Sequence, residues 1–569
     1  MSIYLGISSP DCDVTATFIK DGKIVYAAQE ERFTRVKQQT GFPYKAIEDG
    51  LRYLGITIAD ITGVGYGWYK PEQEKKLYLQ SGKLSIKQAF SSKAPFMESV
   101  RHAVNMYRRG MFINPAEFDK AHGQFVAGLQ KIGYKGSVEY FNHQLCHAAS
   151  TYYTSGFDKA LVITLDGYGS GSAGSIYIGD GENLKFVKFI PSPQSLGLMY
   201  SKVTKALGFI PNRHEGKVLG LAAYGNPDIY FKDIMKDFIL TDDAFMYLNP
   251  LDPNKYKKIF KDGKAEDLAA AFQKVLETVV VHMAKQNLKK YNLDRVCLAG
   301  GVAANVKMNQ RVMEIDGVKE IFVHPGMSDC GIGTGAALML AHKEKPFKPY
   351  KLDDVFLGAD YTEDEILDAI KKFDFKYTRE EEPEKKAAEL LAKGFVVGRF
   401  NGRMEYGPRA LCNRTIMAPT QQSDVNKWLN KRLNRTEFMP FAPATLDYMA
   451  DKMYLNMDKI RYTAEFMTIT TDCTDAMKQN SAAAVHVDGT ARPQIVTAKN
   501  NPTMYKILEH YFQLTGVPSL VNTSYNMHEE PIICNPYDAV KTFNDGRLDY
   551  LSIGNYILEA HSIEARDVD

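Results

Sequence analysis

FNHQLCHAASTYYTSGFDKALVITLDGYGSGSAG, residues 141–174, is the stretch on which the reading of this chain turns. Within it His143 and His147 stand four residues apart, and the apolar run Ala160 to Leu165 ends in Asp166. If residues 143–153 are helical, side chains at i and i+4 rise from one face one turn apart, and both imidazoles can address one cation. Asp166 then closes a strand just ahead of a turn carrying Gly167, Gly169, Gly171 and Gly174. Two imidazoles and a carboxylate leave positions open, as a working metal requires. A histidine pair at this spacing also arises by chance in long chains. The strand-end aspartate and the glycines make it a candidate metal centre.

The same unit, a strand followed by glycines, recurs on both sides. Residues 3–8 (IYLGIS), 14–19 (VTATFI) and 23–28 (KIVYAA) read as strands, the last two joined at Asp21-Gly22 as a hairpin. The polar turn Ser8 to Asp13 between the first two is a candidate phosphate loop, and a helix is expected from about Pro43. Further on come VCLAGGVAANVKMNQRVME (296–314) and SDCGIGTGAALMLAHKE (328–344), in which glycines open helices. Each unit offers backbone N–H groups where phosphate is favoured. One such unit occurs in any α/β protein. Four of them, with hairpins ahead of the helices, predict the actin-like ATPase (ASKHA) fold, in which two related α/β halves clamp a nucleotide.

The prolyl, charged stretch KPFKPYKLDD (345–354) reads as a linker. The expected organisation is therefore a first domain over 1–345, a linker over 346–354 and a second, α+β domain over 355–569. The second carries Arg399, Arg403, Arg409, Arg414, Arg432, Arg435 and Arg492 close to glycines and prolines. Such a set reads as an anion site or, alternatively, as ordinary salt-bridge partners.

With a formal net charge of +2 over 569 residues, the composition argues against a nucleic-acid surface. No apolar run approaches the ~20 residues that span a bilayer, and MSIYLGISSPDCD lacks a cleavable leader pattern. Seven scattered cysteines without a CxxC pair suggest neither a disulfide framework nor a zinc finger, so a reducing cytoplasm is the expected setting.

Longer motifs are more specific. GRMEYGPRAL (402–411), PFAPATL (440–446), DGTARPQIV (488–496) and GVPSLVNTSYNMHEEPI (516–532) closely resemble the NodU/CmcH family of O-carbamoyltransferases. EERFTR (30–35), NHQLCHAAS (142–150), LDGYGSG (165–171), KVLGLAAYG (217–225) and GGVAANVKMN (300–309) resemble its first half, so the likeness covers nearly the whole chain. The resemblance implies an ASKHA domain followed by a YrdC-like domain. It implies that ATP (with Mg2+) and carbamoyl phosphate give carbamoyl adenylate and pyrophosphate in the second. Transfer to a hydroxyl of a sugar or other natural product would follow in the first. It implies a metal site of His143, His147, Asp166 and Asp329, an N2O2 set suited to Fe2+ or a similar divalent ion. It places Arg409, Arg492 and Arg435 on carbamoyl phosphate and nucleotide, with Ser524 and Asn526 lining that pocket. Lys37, Lys217, Gly300 and Gly301 are the residues it implies on nucleotide or acceptor in the first domain, with Asn305 on the nucleotide side, and a homodimer is a further implication.

Three positions depart from the family pattern. Cys12 and Gln38 stand where histidines are frequent, and Met439 where an arginine is frequent. The general base is thereby open. Asp13 is the nearest remaining candidate, with a turn-capping role as its alternative. Alternative functions are an ASKHA-type small-molecule kinase, hydrogenase-maturation carbamoyl transfer, or a nucleotide-binding member with altered acceptor chemistry. Residues 68–125 carry no motif; they read as acceptor-specificity loops or, by default, as a solvated surface insertion.

Overall fold

The computed structural model describes residues 2–10, 13–92, 94–105, 116–249, 263–421, 425–433 and 441–563. Two compact units are formed: Met1–Ile24, Thr40–Phe42 and Ile58–Lys351 in the first, and Val25–Gln39, Pro43–Thr57 and Leu352–Asp569 in the second. The chain passes from the first unit to the rest of the second between Lys351 and Leu352. Two segments near the N-terminus, however, belong to the second unit.

The first sheet contains β1 (Ile3–Ser8), β2 (Thr15–Lys20), β3 (Lys23–Gln29), β4 (Gly63–Tyr66) and β5 (Ser137–Tyr140), in the order β3-β2-β1-β4-β5. β2 is antiparallel to β1, β4 is parallel to β1 and β5 is parallel to β4. All six residues of β1 are buried, as its unbroken apolar run requires of a strand covered on both faces. A second set follows: β6 (Lys159–Gly169), β7 (Ser172–Asp180) and β8 (Asn183–Pro191). After the short pair β9 (Phe238–Leu240) and β10 (Phe245–Tyr247) come β11 (Arg295–Ala299) and β12 (Glu320–Val323). Their sheet runs β12-β11-β6-β7-β8, with β7 antiparallel to β6 and β11 parallel to it. Read by order of appearance, both sheets are third–second–first–fourth–fifth. This duplicated topology is the one expected from the repeated strand–glycine units, and the fold is mixed α/β.

The helix Ile332–Glu344 follows β12 in the chain and packs on β1, β2 and β4 of the first sheet and on the helix His143–Tyr153. Nine of its residues are buried, among them Ile332, Ala336, Leu338 and Leu340, so it is apolar on every side and serves as a core helix. Its small residues let backbones approach: a Cβ at Gly335 would lie 1.8 Å from the Cys146 carbonyl oxygen, and one at Gly6 1.8 Å from that of Gly333. The described residues of 68–125 are mostly helical rather than loops. They contain the helices Pro71–Ser91 and Phe96–Asn105 and most of Ala116–Lys131.

The second unit is organised on a mixed sheet. Its strands are β13 (Lys376–Arg379), β14 (Val397–Phe400), β15 (Arg414–Pro419), β16 (Ala442–Leu446), β19 (Gln494–Val496), β20 (Ser519–Ser524), β21 (Tyr550–Ile553) and β22 (Tyr556–Glu559). β17 (Thr471–Asp472) and β18 (Thr490–Ala491) form a separate pair. The order is β13-β22-β21-β14-β15-β20-β16-β19. One face packs Ile370, Phe400, Ile416, Val521 and Leu551 against Val540 and Phe543, and the other packs Val397, Met417 and Leu520 against Leu391, Ile507 and Tyr511.

The segments Val25–Gln39 and Pro43–Thr57 are anchored in this unit by polar contacts. Ala27 donates its backbone N–H to the Leu357 carbonyl at 3.1 Å. Buried Arg32 donates to the Gly407 carbonyl at 2.7 Å, and Arg35 to those of Ile532 and Pro531 at 2.7 and 2.8 Å. The guanidinium of Arg403 lies 4.1 Å from the Tyr53 ring centre.

Candidate metal centre

The helix that carries both histidines spans His143–Tyr153, and Asn142 caps it by accepting a hydrogen bond from the Leu145 N–H at 3.1 Å. His143 therefore opens the first turn, and His147 follows one turn later on the same face. Both imidazoles are fully buried. Asp166 reaches them from β6, where the strand carries an irregularity between Leu165 and Gly169. Asp329 comes from the turn Asp329–Gly331 that precedes the core helix.

These four side chains converge. Nε2 of His143 and Nε2 of His147 lie 3.1 and 3.2 Å from the same Asp166 oxygen, Oδ2, and each is 3.6 Å from Asp329 Oδ1. One ligand atom from each residue falls within 4.8 Å of all the others. Bonds of about 2.1 Å around one ion place neighbouring ligands about 3.0–3.4 Å apart and opposite ones about 4.2 Å apart, so the four atoms are a few tenths of an ångström wider than a bound divalent cation would hold them. The other Asp166 oxygen accepts from the N–H groups of Gly167 and Gly301, at 2.7 and 3.3 Å, which turns Oδ2 toward the imidazoles. Nδ1 of both histidines is buried with no hydrogen-bond partner among the described residues. Among the described residues, none supplies the outer carboxylate or carbonyl that commonly fixes a ligand imidazole.

Without a cation, burial pulls the His147 pKa down. Hydrogen bonds and charges from Asp166 and Asp329 overcome this and raise it to about 9. Burial opposes ionisation of Asp166, but its bonds to His143 and His147 hold it far below the usual carboxylate range. A cation placed among these atoms would take over the work of that proton.

Backbone conformation makes the approach possible. A Cβ at Gly169 would sit 2.1 Å from His143 Cδ2. Gly300 has φ +92°, and a Cβ there would meet the Leu165 carbonyl oxygen at 2.2 Å. The indole of Trp68 covers His143 with ring centres 4.3 Å apart, and Ser170 Oγ accepts from the His143 N–H at 3.2 Å.

The other sequence-derived residues take varied places. Asp13 has φ 61°, and its Oδ2 accepts from Ser328 Oγ at 2.5 Å, next to Asp329 in the chain. Gly301 serves Asp166, as described. Asn305 is engaged structurally: its side chain caps the helix Val306–Met313 and exchanges two hydrogen bonds with Gln273, at 2.8 and 3.0 Å. Lys217 is buried on the helix Glu215–Ala222. In the second unit Arg409 and Arg492 are half-buried in loops, Ser524 ends β20, and the Asn526 side chain donates to the Met527 and Glu530 carbonyls. Cys12, Arg435 and Met439 lie outside the described residues.

Four of the seven arginines singled out in the sequence are consumed by the fold. Arg414 donates to the carbonyls of Asn401, Asn413 and Gly402, and Arg403 to those of Gly358, Leu357 and Val25. Arg399 bonds Thr503 and the Cys412 carbonyl, and burial lowers its pKa to about 10. Arg432 pairs with Asp549 at 3.1 Å. Of the seven, Arg403 and Arg414 are carbonyl clamps.

Sequence reasoning missed Glu74 and His324. Glu74 sits in KPEQEKK, which reads as an exposed charged surface, yet it is only 2% exposed. His324 is wholly buried, accepts from the Gly326 N–H at 3.1 Å, and burial lowers its pKa to about 4.

Among the described residues, no helix is long and apolar enough to cross a membrane. Residues 4–338 match the description "Carbamoyltransferase N-terminus" and residues 388–560 match "Carbamoyltransferase C-terminus". Nodulation protein NolNO of Sinorhizobium fredii (strain NBRC 101917 / NGR234) is 30% identical over 570 residues, covering 98% of this chain and 80% of that protein. Nodulation protein NolO of Bradyrhizobium diazoefficiens is 33% identical over 442 residues, covering 75% and 80%. Among solved structures, full-length HypF in its phosphate- and nucleotide-bound form is similar at 12% identity and a TM-score of 0.38, over 60% of this chain and 47% of that one. With both family segments matched in order and the first spanning more than half of the chain, this protein belongs to the carbamoyltransferase family.

Proposed function

We propose that the protein is an ATP-dependent O-carbamoyltransferase that works through carbamoyl adenylate and delivers the carbamoyl group to a hydroxyl of a sugar or related natural product. The observation that carries this reading is the convergence of His143, His147, Asp166 and Asp329 within the segment that matches the family's N-terminal part.

Carbamoyl phosphate and ATP are the donors. Atom balance divides activation into two events. Water cleaves carbamoyl phosphate to carbamate and phosphate, and a carbamate oxygen then attacks the α-phosphorus of ATP, releasing pyrophosphate. Activation is needed because a carbamate carbonyl is a poor electrophile and AMP is a better leaving group. Arg409, Arg492 and Arg435 neutralise the phosphates in this reading, with Ser524 and Asn526 beside them and Mg2+ on the nucleotide. In the first unit Lys217, Gly300 and Gly301 face nucleotide. Asn305 acts there only by holding its helix, since its side chain is spent on Gln273 and the cap.

His143, His147, Asp166 and Asp329 would hold a divalent ion, Fe2+ being compatible with the donor set. Such an ion supplies a Lewis acid for polarising an oxygen of donor or acceptor. The chain's own residues do the remaining work. Gly167 and Gly301 orient Asp166, Asn142 and Gly169 fix His143, and Asp13 is held by Ser328 as a candidate proton acceptor.

The test is release of pyrophosphate and AMP from ATP, with and without carbamoyl phosphate, in the wild type and Arg409→Ala. Release that requires carbamoyl phosphate and is lost in the variant supports the reading. ADP formation, or pyrophosphate release indifferent to carbamoyl phosphate, defeats it.

A further inference from the structure

The segment between Glu405 and Arg414 carries Arg409, yet it belongs to no helix and no strand. Two of its residues take backbone angles that need support: Gly407 has φ 103°, and Cys412, which bears a Cβ, has φ 80°. A positive φ outside glycine is sparsely populated and persists where the surroundings over-determine it. Pro408 is exposed and Arg409 half-buried, whereas Gly407, Ala410, Leu411 and Cys412 are buried. Within this segment the chain therefore surfaces at the arginine read above as a phosphate partner.

Buried side chains tie down the peptide that follows Arg409. Glu405 Oε1 accepts from the Leu411 N–H at 2.7 Å and from the Arg414 N–H at 3.1 Å. Asn522 Nδ2 donates to the Ala410 carbonyl at 2.9 Å. Both polar groups of the Ala410–Leu411 peptide are thus engaged, each by a side chain no more than 2% exposed. A peptide unit is a rigid plane, so with this one fixed only φ and ψ of Ala410 separate the anchor from the next plane, which begins at Arg409.

The two anchors reach further. Asn522 lies on β20, two residues before Ser524, which ends that strand. It therefore joins the strand that ends in Ser524 to the segment that carries Arg409, two residues assigned above to one pocket. Glu405 also sets the local charge. Burial lowers the pKa of both Arg399 and Arg414, and the Glu405 carboxylate opposes that shift in each. Arg399 in turn holds the strained residue, its Nε donating to the Cys412 carbonyl at 3.1 Å.

We propose that Glu405 and Asn522 are positioning residues for Arg409: they clamp the Ala410–Leu411 peptide and through it set where the guanidinium meets a substrate phosphate group. Neither touches the phosphate. Assigning that phosphate to carbamoyl phosphate or ATP rests on the carbamoyl-transfer reading; the action of the clamp on an anion site does not.

The experiment is binding of labelled inorganic phosphate, by rapid ultrafiltration, to full-length wild type, Arg409→Ala, Glu405→Met, Glu405→Gln and the double variant Glu405→Met, Arg409→Ala. Methionine keeps the side-chain length and removes the acceptor, whereas glutamine keeps an oxygen for both N–H groups. Arg409→Ala and Glu405→Met should each weaken binding by about tenfold or more, because a displaced guanidinium loses its paired contact. The double variant should bind no more weakly than Arg409→Ala alone, and Glu405→Gln should recover most of the loss. Unlabelled carbamoyl phosphate or ATP, whichever displaces the label, assigns the phosphate to its substrate. Losses that add in the double variant, wild-type binding in Glu405→Met, or equal losses with methionine and glutamine overturn the proposal. So does unaltered binding in Arg409→Ala, which removes the anion site itself.

If Glu405→Met does not fold, Asn522→Ala, which removes the donor to the Ala410 carbonyl, is compared with Arg409→Ala in the same way. Unfolding of both makes the clamp structural only and overturns the proposal. Carbamoyl phosphate-dependent pyrophosphate release is followed in parallel. The expected binding pattern without release defeats the adenylate reading and leaves the clamp standing. Release that Arg409→Ala abolishes and Glu405→Met leaves unchanged defeats the clamp alone.

Discussion

Gly169 and His143 are in contact so close that the absence of a side chain at 169 is what lets the imidazole occupy its place. A Cβ there would fall 2.1 Å from Cδ2 and 2.8 Å from Nε2, the atom that faces Asp166. In Gly169→Ala the imidazole must swing away from the carboxylates while the helix stays put. Metal bound per chain, measured by elemental analysis after desalting, should fall by at least about tenfold, as when other supports of ligand histidines are altered. Full metal content in this variant would show that His143 is not a ligand.

Asn142 acts on the same histidine from the other side, through the helix cap. Asn142→Ala should cost about 1 kcal/mol and allow the first turn, with His143 in it, to fray. We expect a Tm lower by a few degrees and weaker metal retention in a chelator titration. Asn142→Asp, which keeps the cap, should restore both.

Two arginines five residues apart should behave oppositely. Arg414 is wholly buried and serves three carbonyls, so Arg414→Ala leaves buried acceptors unmatched and should cost about 3 kcal/mol or more. Reduced Tm and rapid proteolysis of the second unit are the expected outcome. Arg409→Ala should keep the wild-type Tm and lose carbamoyl phosphate-dependent pyrophosphate release. If both variants unfold, Arg409 is structural and the anion site lies elsewhere.

The pH response of metal-free protein follows from two buried histidines that are shifted in opposite directions. His324, lowered from 6.5 to about 4, favours folding fully above pH 6.5, and that contribution is lost as pH falls through 4. His147, raised from 6.5 to about 9, favours folding fully below pH 6.5, and that contribution is lost as pH rises through 9. Denaturant midpoints of the chelated protein should therefore be highest near pH 6.5 and fall on either side. Added divalent metal should flatten the alkaline side, because the ion replaces the His147 proton and binds more tightly as that proton leaves. An alkaline fall that metal does not change would remove His147 from the ligand set.

Much of the metal centre was legible because its parts are local. The i, i+4 pair and the strand-end aspartate are periodic signals, and the helix spans the expected residues 143–153. Asp329 needed the longer motif resemblance, since nothing in SDCGIG distinguishes a ligand from a helix cap. Glu74 was illegible for a physical reason: its neighbours Lys70, Glu72, Gln73, Lys75 and Lys76 form a charged helix start, and only tertiary packing buries one member. The arginine cluster was ambiguous for the converse reason. A guanidinium that clamps three carbonyls and one that waits for phosphate have the same sequence signature. The second unit's claim on residues 25–39 and 43–57 was equally hidden, because its partners lie some 300 residues downstream.

That last feature bears on how the chain is made. The helix Tyr44–Leu54 belongs to a unit whose remaining residues begin at Leu352. At roughly 5–20 residues per second, a ribosome needs about 15–60 s to reach them after this helix emerges. Throughout that interval Ala46, Ile47 and Gly50, buried in the finished protein, have no unit to enter. The nascent chain must therefore carry an early segment past the completion of one domain and hand it to the next. Chaperone dependence and codon pacing between residues 58 and 352, rather than any property of the finished site, should set the yield of active enzyme.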